Sequence, residues 1–174
     1  MGNQQERLAW LAGIVDGEGS ITMAKNPTNK KGKYTIRPLV NITNSSVAAL
    51  RLIEQICEEQ GLAYYIKWLE PGKSGRKQWI WRLNVYGQKR VKRFLEIILP
   101  YLVIKKEHGL LLYEWCVGRI AMPGRGQNKL YTDSDYDVRR KISELNQNPQ
   151  RLYAEHVFKI TRDTNGYKKH EDIV

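Results

Sequence analysis

The chain has 174 residues, 41% of them hydrophobic and 27% charged, which is enough for one globular domain with a terminal extension and too apolar for wholesale disorder. Its 29 Lys+Arg against 18 Asp+Glu leave a net charge of +11, an excess that points to a polyanionic partner. The longest apolar runs fall far short of the roughly 20 residues of a membrane span, and MGNQQER has neither a signal-peptide core nor, with Glu6 in place, a myristoylation pattern. Cys57 and Cys116 stand alone, which suits an intracellular reducing compartment such as the cytoplasm, the nucleoid or an organelle. His108, His156 and His170 are scattered, so histidine-based metal or triad chemistry has no support.

The first periodic segment runs from about Gln4 to Asp16. Leu8, Leu11, Ala12 and Val15 share one helical face, and Ala9, Gly13 and Gly17 stack at i, i+4, i+8 beside it. A stripe without side-chain bulk lets another backbone approach closely. A strand follows over Ser20–Lys25, then a polar loop over Asn26–Gly32 and a longer strand over Lys33–Asn44. The alternation in that strand separates Tyr34, Ile36, Val40 and Ile42 from Thr35, Arg37, Asn41 and Thr43, with Leu39 an apolar exception. Pro38 fits an edge or a bulge. Asn44-Ser45-Ser46 offers caps for a helix over Val47–Gln60, which Gly61 stops.

The pattern then repeats, with a strand over Leu62–Glu70, a turn-rich loop over Pro71–Lys77, a strand over Gln78–Tyr86, and a helix from Gly87 to Leu99 ended by Pro100. Further helices are expected over Lys106–Arg119 and from Asp133 or Ser134 to Leu145. The order predicts an α+β domain, αββαββα, with one four-stranded antiparallel sheet and helices on one face. We place the domain at 1–145 and an extension without an assignable structure at 146–174.

The charge is concentrated. No acid lies between Glu18 and Glu54, where there are six basic residues, or between Glu70 and Glu96, where there are eight. Those windows cover the first predicted hairpin and the loop and second strand of the other. A sheet face carrying Lys, Arg, Asn and Thr suits a duplex, whose phosphates take the cations and whose base edges pair with Arg, Asn and Gln.

Leu11-Ala12-Gly13-Ile14-Val15-Asp16-Gly17-Glu18-Gly19 resembles the signature of the LAGLIDADG homing endonucleases, with Ile14, Val15 and Gly17 as tolerated replacements. The motif ends a helix, a hairpin follows at once, and the αββαββα order continues for about 100 residues. The resemblance implies a site-specific, intron-encoded double-strand DNA endonuclease that hydrolyses two phosphodiesters across the minor groove and needs Mg²⁺ or another divalent ion such as Mn²⁺. It implies Glu18 as the metal-binding carboxylate and the Gly17 carbonyl as a further ligand. Asp16 occupies the earlier acidic position of the motif, usually the more structural of the two. Asn44 and Lys105 correspond to groups that orient or polarise water. A single motif implies a homodimer joined through Ala9, Ala12, Gly13, Asp16 and Gly17, and hence a long pseudo-palindromic target. Some relatives are instead non-catalytic RNA-binding splicing cofactors (maturases), which is the alternative reading.

From the sheet faces, the expected DNA contacts are Thr22, Ala24, Asn26, Thr35, Arg37 and Asn41 in the first hairpin. In the second they are Tyr65, Lys67, Arg76, Lys77, Ile80 and Arg82. Lys30, Lys31, Lys33, Lys73 and Lys77, at the hairpin tips, are expected on phosphates. A one-residue slip would reverse any of these strands.

Overall fold

The computed structural model describes residues 3–27, 34–72, 75, 77–123 and 131–147. The elements are α1 (Gln4–Glu18), β1 (Gly19–Pro27), β2 (Tyr34–Asn44), α2 (Val47–Glu59), β3 (Tyr65–Leu69), β4 (Ile80–Tyr86), α3 (Gln88–Ile98), α4 (Lys106–Ala121) and α5 (Asp133–Gln147). The four strands form one antiparallel sheet in the order β1-β2-β4-β3. This is the expected α+β architecture.

Local chemistry starts the helices. Asn3 accepts a hydrogen bond from the Glu6 backbone N–H at 3.0 Å and Glu6 accepts one from the Asn3 N–H at 3.1 Å, a reciprocal cap on α1. Ser46 caps α2 through the Ala49 N–H. The core lies between the helices and the inner sheet face. Ile21, Met23, Val40, Ile42, Leu83 and Val85 from the strands meet Leu11, Val15, Ile53, Phe94 and Leu112 from the helices. Trp81, fully buried among them, donates from its indole N–H to the Ser46 carbonyl at 2.9 Å, so its polar atom is satisfied.

Two expectations change. The third strand begins at Tyr65 and not at Leu62, because Leu62 is buried in the turn that closes α2, where its N–H bonds the Cys57 carbonyl. Pro38 lies inside a strand that is central to the sheet. Its carbonyl accepts from the Gly87 N–H at 3.4 Å. In an antiparallel strand a residue's N–H and C=O point the same way, so the donor Pro38 lacks would face the β4 side. Pairing between β2 and β4 stops one residue earlier, at Leu39↔Tyr86. The edge requirement of proline is met locally.

The same alternation turns the Met23 carbonyl, opposite Pro38, away from β2. Arg139 Nε donates to it at 3.2 Å, and Asn146 Nδ2 donates to the Ile21 carbonyl at 2.9 Å. Helix α5 thereby covers the open edge of β1. It runs to Gln147, with Asn146 in its last turn; residues 148–174 lie outside the described residues. A buried pair, Arg119 and Asp135 at 3.5 Å, joins α4 to the start of α5, and Asp135 also accepts from the Trp115 indole at 2.7 Å.

Candidate nucleic-acid interface and catalytic centre

The strands' alternation splits the sheet into two faces, and the register aligns the outer one. Ser20, Asn41, Asn84 and Tyr65 form one rung; Thr22, Leu39 and Tyr86 form a second; Thr43, Arg82 and Lys67 form a third. Ala24 lies opposite Arg37, Asn26 opposite Thr35, and Leu69 opposite Ile80. Thr22, Ala24, Asn26, Thr35, Arg37, Asn41, Tyr65, Lys67, Ile80 and Arg82 therefore all occupy the outer face, which no acidic residue shares among the described residues. Lys77 is exposed in the loop before β4. Lys30, Lys31, Lys33, Lys73 and Arg76 lie outside the described residues.

The face also presents Thr43, Asn84 and Tyr86, which sequence reasoning did not nominate. The signal was available, because Arg82, Asn84 and Tyr86 follow one another at the strand period of two. Lys67 and Arg82 stand directly opposite each other, like charges on adjacent strands. That juxtaposition costs stability in isolation and is relieved by a polyanion.

The C-terminus of α1 meets the sheet at the start of β1. Glu18 is the last residue of the helix, exposed, and in no salt bridge among the described residues. Gly19 continues straight into β1, paired with Ile42. A Cβ on Gly19 would sit 2.6 Å from the Val15 carbonyl oxygen, so only glycine allows the helix to become a strand without a gap.

Asp16 points the other way. It is buried, and its Oδ2 accepts from the backbone N–H groups of Val103 (2.8 Å) and Ile104 (3.2 Å) while Oδ1 accepts from that of Lys105 (2.8 Å). Ala12 is fully buried as well. Both are closed off within this chain: at about 100° per residue Ala12 lies next to Leu8, whereas Asp16 lies next to Ala9 and is covered by the turn of residues 103–105. Ala9, Gly13 and Gly17 are exposed, and a Cβ on Gly13 or Gly17 would meet nothing within 4 Å in this chain.

Lys105 caps α4 and bends back, donating from Nζ to the Asp16 carbonyl. An ammonium there meets the negative end of the α1 dipole. Burial holds Lys105 below the ordinary lysine range, against the opposing pull of Asp16 and Glu18. Asn44, at the end of β2, accepts from the Ser46 N–H at 2.8 Å, so its oxygen shapes the turn into α2 and its amide N–H₂ is what it can present. Buried His108, in the first turn of α4, is held below the usual imidazole value, chiefly by burial. The Cys57 and Cys116 thiols are buried and pushed up to about 12, which makes them inert.

The chain matches the LAGLIDADG-like domain over residues 5–99, more than half its length. It belongs to that family. No curated protein sequence matches it significantly. Among solved structures it is similar to the homing endonuclease I-CvuI bound to DNA with magnesium present and the DNA uncleaved. That similarity has 19% identity, covers 82% of this chain and 96% of that one, and has a TM-score of 0.53. The archaeal intron-encoded homing endonuclease I-Vdi141I, complexed with DNA, is 14% identical over 84% of this chain and all of its own, at 0.52. I-SmaMI bound to cleaved DNA is 18% identical over 78% of this chain but only 42% of that longer chain, at 0.55. At these identities the likeness to the solved LAGLIDADG proteins is one of fold.

Proposed function

We propose that this LAGLIDADG chain is a homodimeric, divalent-metal-dependent, site-specific DNA endonuclease encoded within a mobile intron. The observation that carries the reading is the placement of Glu18: an exposed carboxylate at the end of α1, beside Lys105, at the junction with a sheet whose outer face carries no acid among the described residues. The DNA-bound proteins of like fold support it, and structures of I-CvuI with DNA include magnesium in one case and calcium in another.

The donor set fits half of a hard-cation site. One carboxylate from Glu18 and one helix-end carbonyl from Gly17 suit Mg²⁺ or Mn²⁺ completed by water and substrate phosphate. No group of three or more His, Cys, Asp or Glu side chains converges among the described residues. A second copy of α1 supplies the second carboxylate. When bound, the ion lowers the pKa of water and offsets the negative charge that builds on the phosphorus oxygens. Glu18 holds it at the end of a helix fixed by Asp16. Lys105 places a cation beside the same phosphate. The outer face binds the duplex, and the two protomers together cut both strands across the minor groove, leaving short 3′ overhangs.

The test is cleavage of duplex DNA containing the joined sequences that flank the gene's intron. Mg²⁺-dependent double-strand cutting is the expected result. Tight binding of folded RNA with no duplex cut would overturn the proposal in favour of a splicing cofactor.

A further inference from the structure

The two mid-strand arginines of the outer face are each held in place before any DNA arrives. Arg82 donates from Nε to the hydroxyl of Thr43, directly opposite on β2, at 3.2 Å. That bond engages the side-on edge of the guanidinium and leaves the end-on fork of Nη1 and Nη2 free. Arg37 lies with its guanidinium carbon 5.4 Å from the centre of the Tyr86 ring, its diagonal neighbour across the same strand pair. This cation–π contact holds the guanidinium against the ring and leaves its N–H donors available. Arg90 approaches the same ring at 5.9 Å and adds a second cation there.

We propose that Thr43 and Tyr86 are positioning residues for base recognition, fixing Arg82 and Arg37 to read one guanine each in every half-site. The inference rests on the endonuclease reading above. A guanine offers O6 and N7 as a paired acceptor that an arginine fork matches, and a fork already held in place loses less freedom on binding.

The register also sets the order and spacing of the two bases. Gly19, at the catalytic end of α1, pairs with Ile42, so Thr43 and Arg82 lie beside the cleavage centre. Arg37 is six residues further along β2 from Thr43. At about 3.3 Å per residue that is about 20 Å. With β2 running close to parallel with the duplex axis, 20 Å corresponds to about six base pairs at 3.4 Å each. The inner guanine belongs to Arg82 and the outer one to Arg37.

The experiment is selection of bound duplexes from a randomised library by the full chain, compared for wild type, Thr43→Val, Tyr86→Leu and Tyr86→Phe. Wild type should enrich two guanines per half-site about six base pairs apart. Thr43→Val should weaken the preference at the inner position about tenfold and spare the outer one. Tyr86→Leu should do the reverse, and Tyr86→Phe, which keeps the ring face, should restore it. Affinity for scrambled duplex should change far less than the preference at the affected position, a pattern that general unfolding would not produce. A selective wild-type protein whose preferences survive both Thr43→Val and Tyr86→Leu, or fall evenly at all positions, overturns this inference alone. A wild-type protein that selects no duplex overturns it together with the endonuclease reading.

Discussion

Glu18 and Asp16 are two residues apart and do different work, because a helix turns 200° between them. Asp16 spends both oxygens on backbone N–H groups, whereas Glu18 keeps its carboxylate for solvent or ligand. Glu18→Gln should therefore remove cleavage, by 10²-fold or more on the order of a lost catalytic charge, while target binding measured by gel shift changes little. A variant that cuts at the wild-type rate removes Glu18 from the metal site. His108 gives a pH-dependent outcome. Burial lowers its folded value, outweighing the Leu145 carbonyl, Glu107 and Asp16, which favour the charged form; Lys105 adds to the lowering. Between the folded value and the ordinary 6.5, the unfolded chain binds the proton and the folded chain does not. Stability therefore falls as pH drops through that window. The difference in denaturation midpoint between wild type and His108→Gln should narrow with acid below the ordinary value, and a constant difference from pH 7 to 5 would contradict this.

The element that organises the centre is the joint between α1 and α4. Three N–H groups of residues 103–105 end on one carboxylate, and Lys105 reaches back to the same turn. Asp16→Ala leaves those donors in a half-buried turn without their acceptor. At about 1–3 kcal/mol for a buried group left unsatisfied, the loss should total about 3 kcal/mol or more, read as a lower denaturation midpoint; Asp16→Asn, which keeps one acceptor oxygen, should lose less. This joint also marks the limit of what the sequence discloses. Periodicity located the helices, and the alternation in β1, β2 and β4 assigned the outer face, because both are local signals carried within a few residues. The role of Asp16 depends on a turn 87 residues away, whereas the motif's resemblance grouped Asp16 and Ala12 with a partner. The edge cover by Arg139 and Asn146 is likewise non-local, since their acceptors are strand carbonyls that any sequence would offer. The nomination of Glu18 came from the motif's resemblance, and nothing in the spacing of charges would have singled it out.

For the whole molecule the question is what covers the exposed side of α1. Ala9, Gly13 and Gly17 lie open along it, and Val103 and Ile104, beside its C-terminus, are 81% and 69% exposed. Their backbones are fixed by Asp16, so these apolar side chains are held outward next to the stripe. A twofold pairing of α1 with its copy brings two Glu18 carboxylates together at the centre of two joined sheets. Gly13→Leu separates assembly from folding. A Cβ at Gly13 touches nothing in the protomer, so the variant should denature within about 0.5 kcal/mol of wild type, as exposed substitutions do. Against a second helix the added side chain overpacks a close contact, at about 1–3 kcal/mol per protomer. Sedimentation should then show a monomer at concentrations where wild type is a dimer. That monomer should retain salt-sensitive binding to duplex DNA, because its sheet is intact, but with a log–log slope near half the wild-type value, since it neutralises half as many phosphates at about 0.9 per contact. It should cut neither strand, having one carboxylate where the proposed reaction needs two. A Gly13→Leu protein that sediments as a wild-type dimer would move the interface away from α1, and one that cuts DNA as a monomer would place the whole reaction within a single chain.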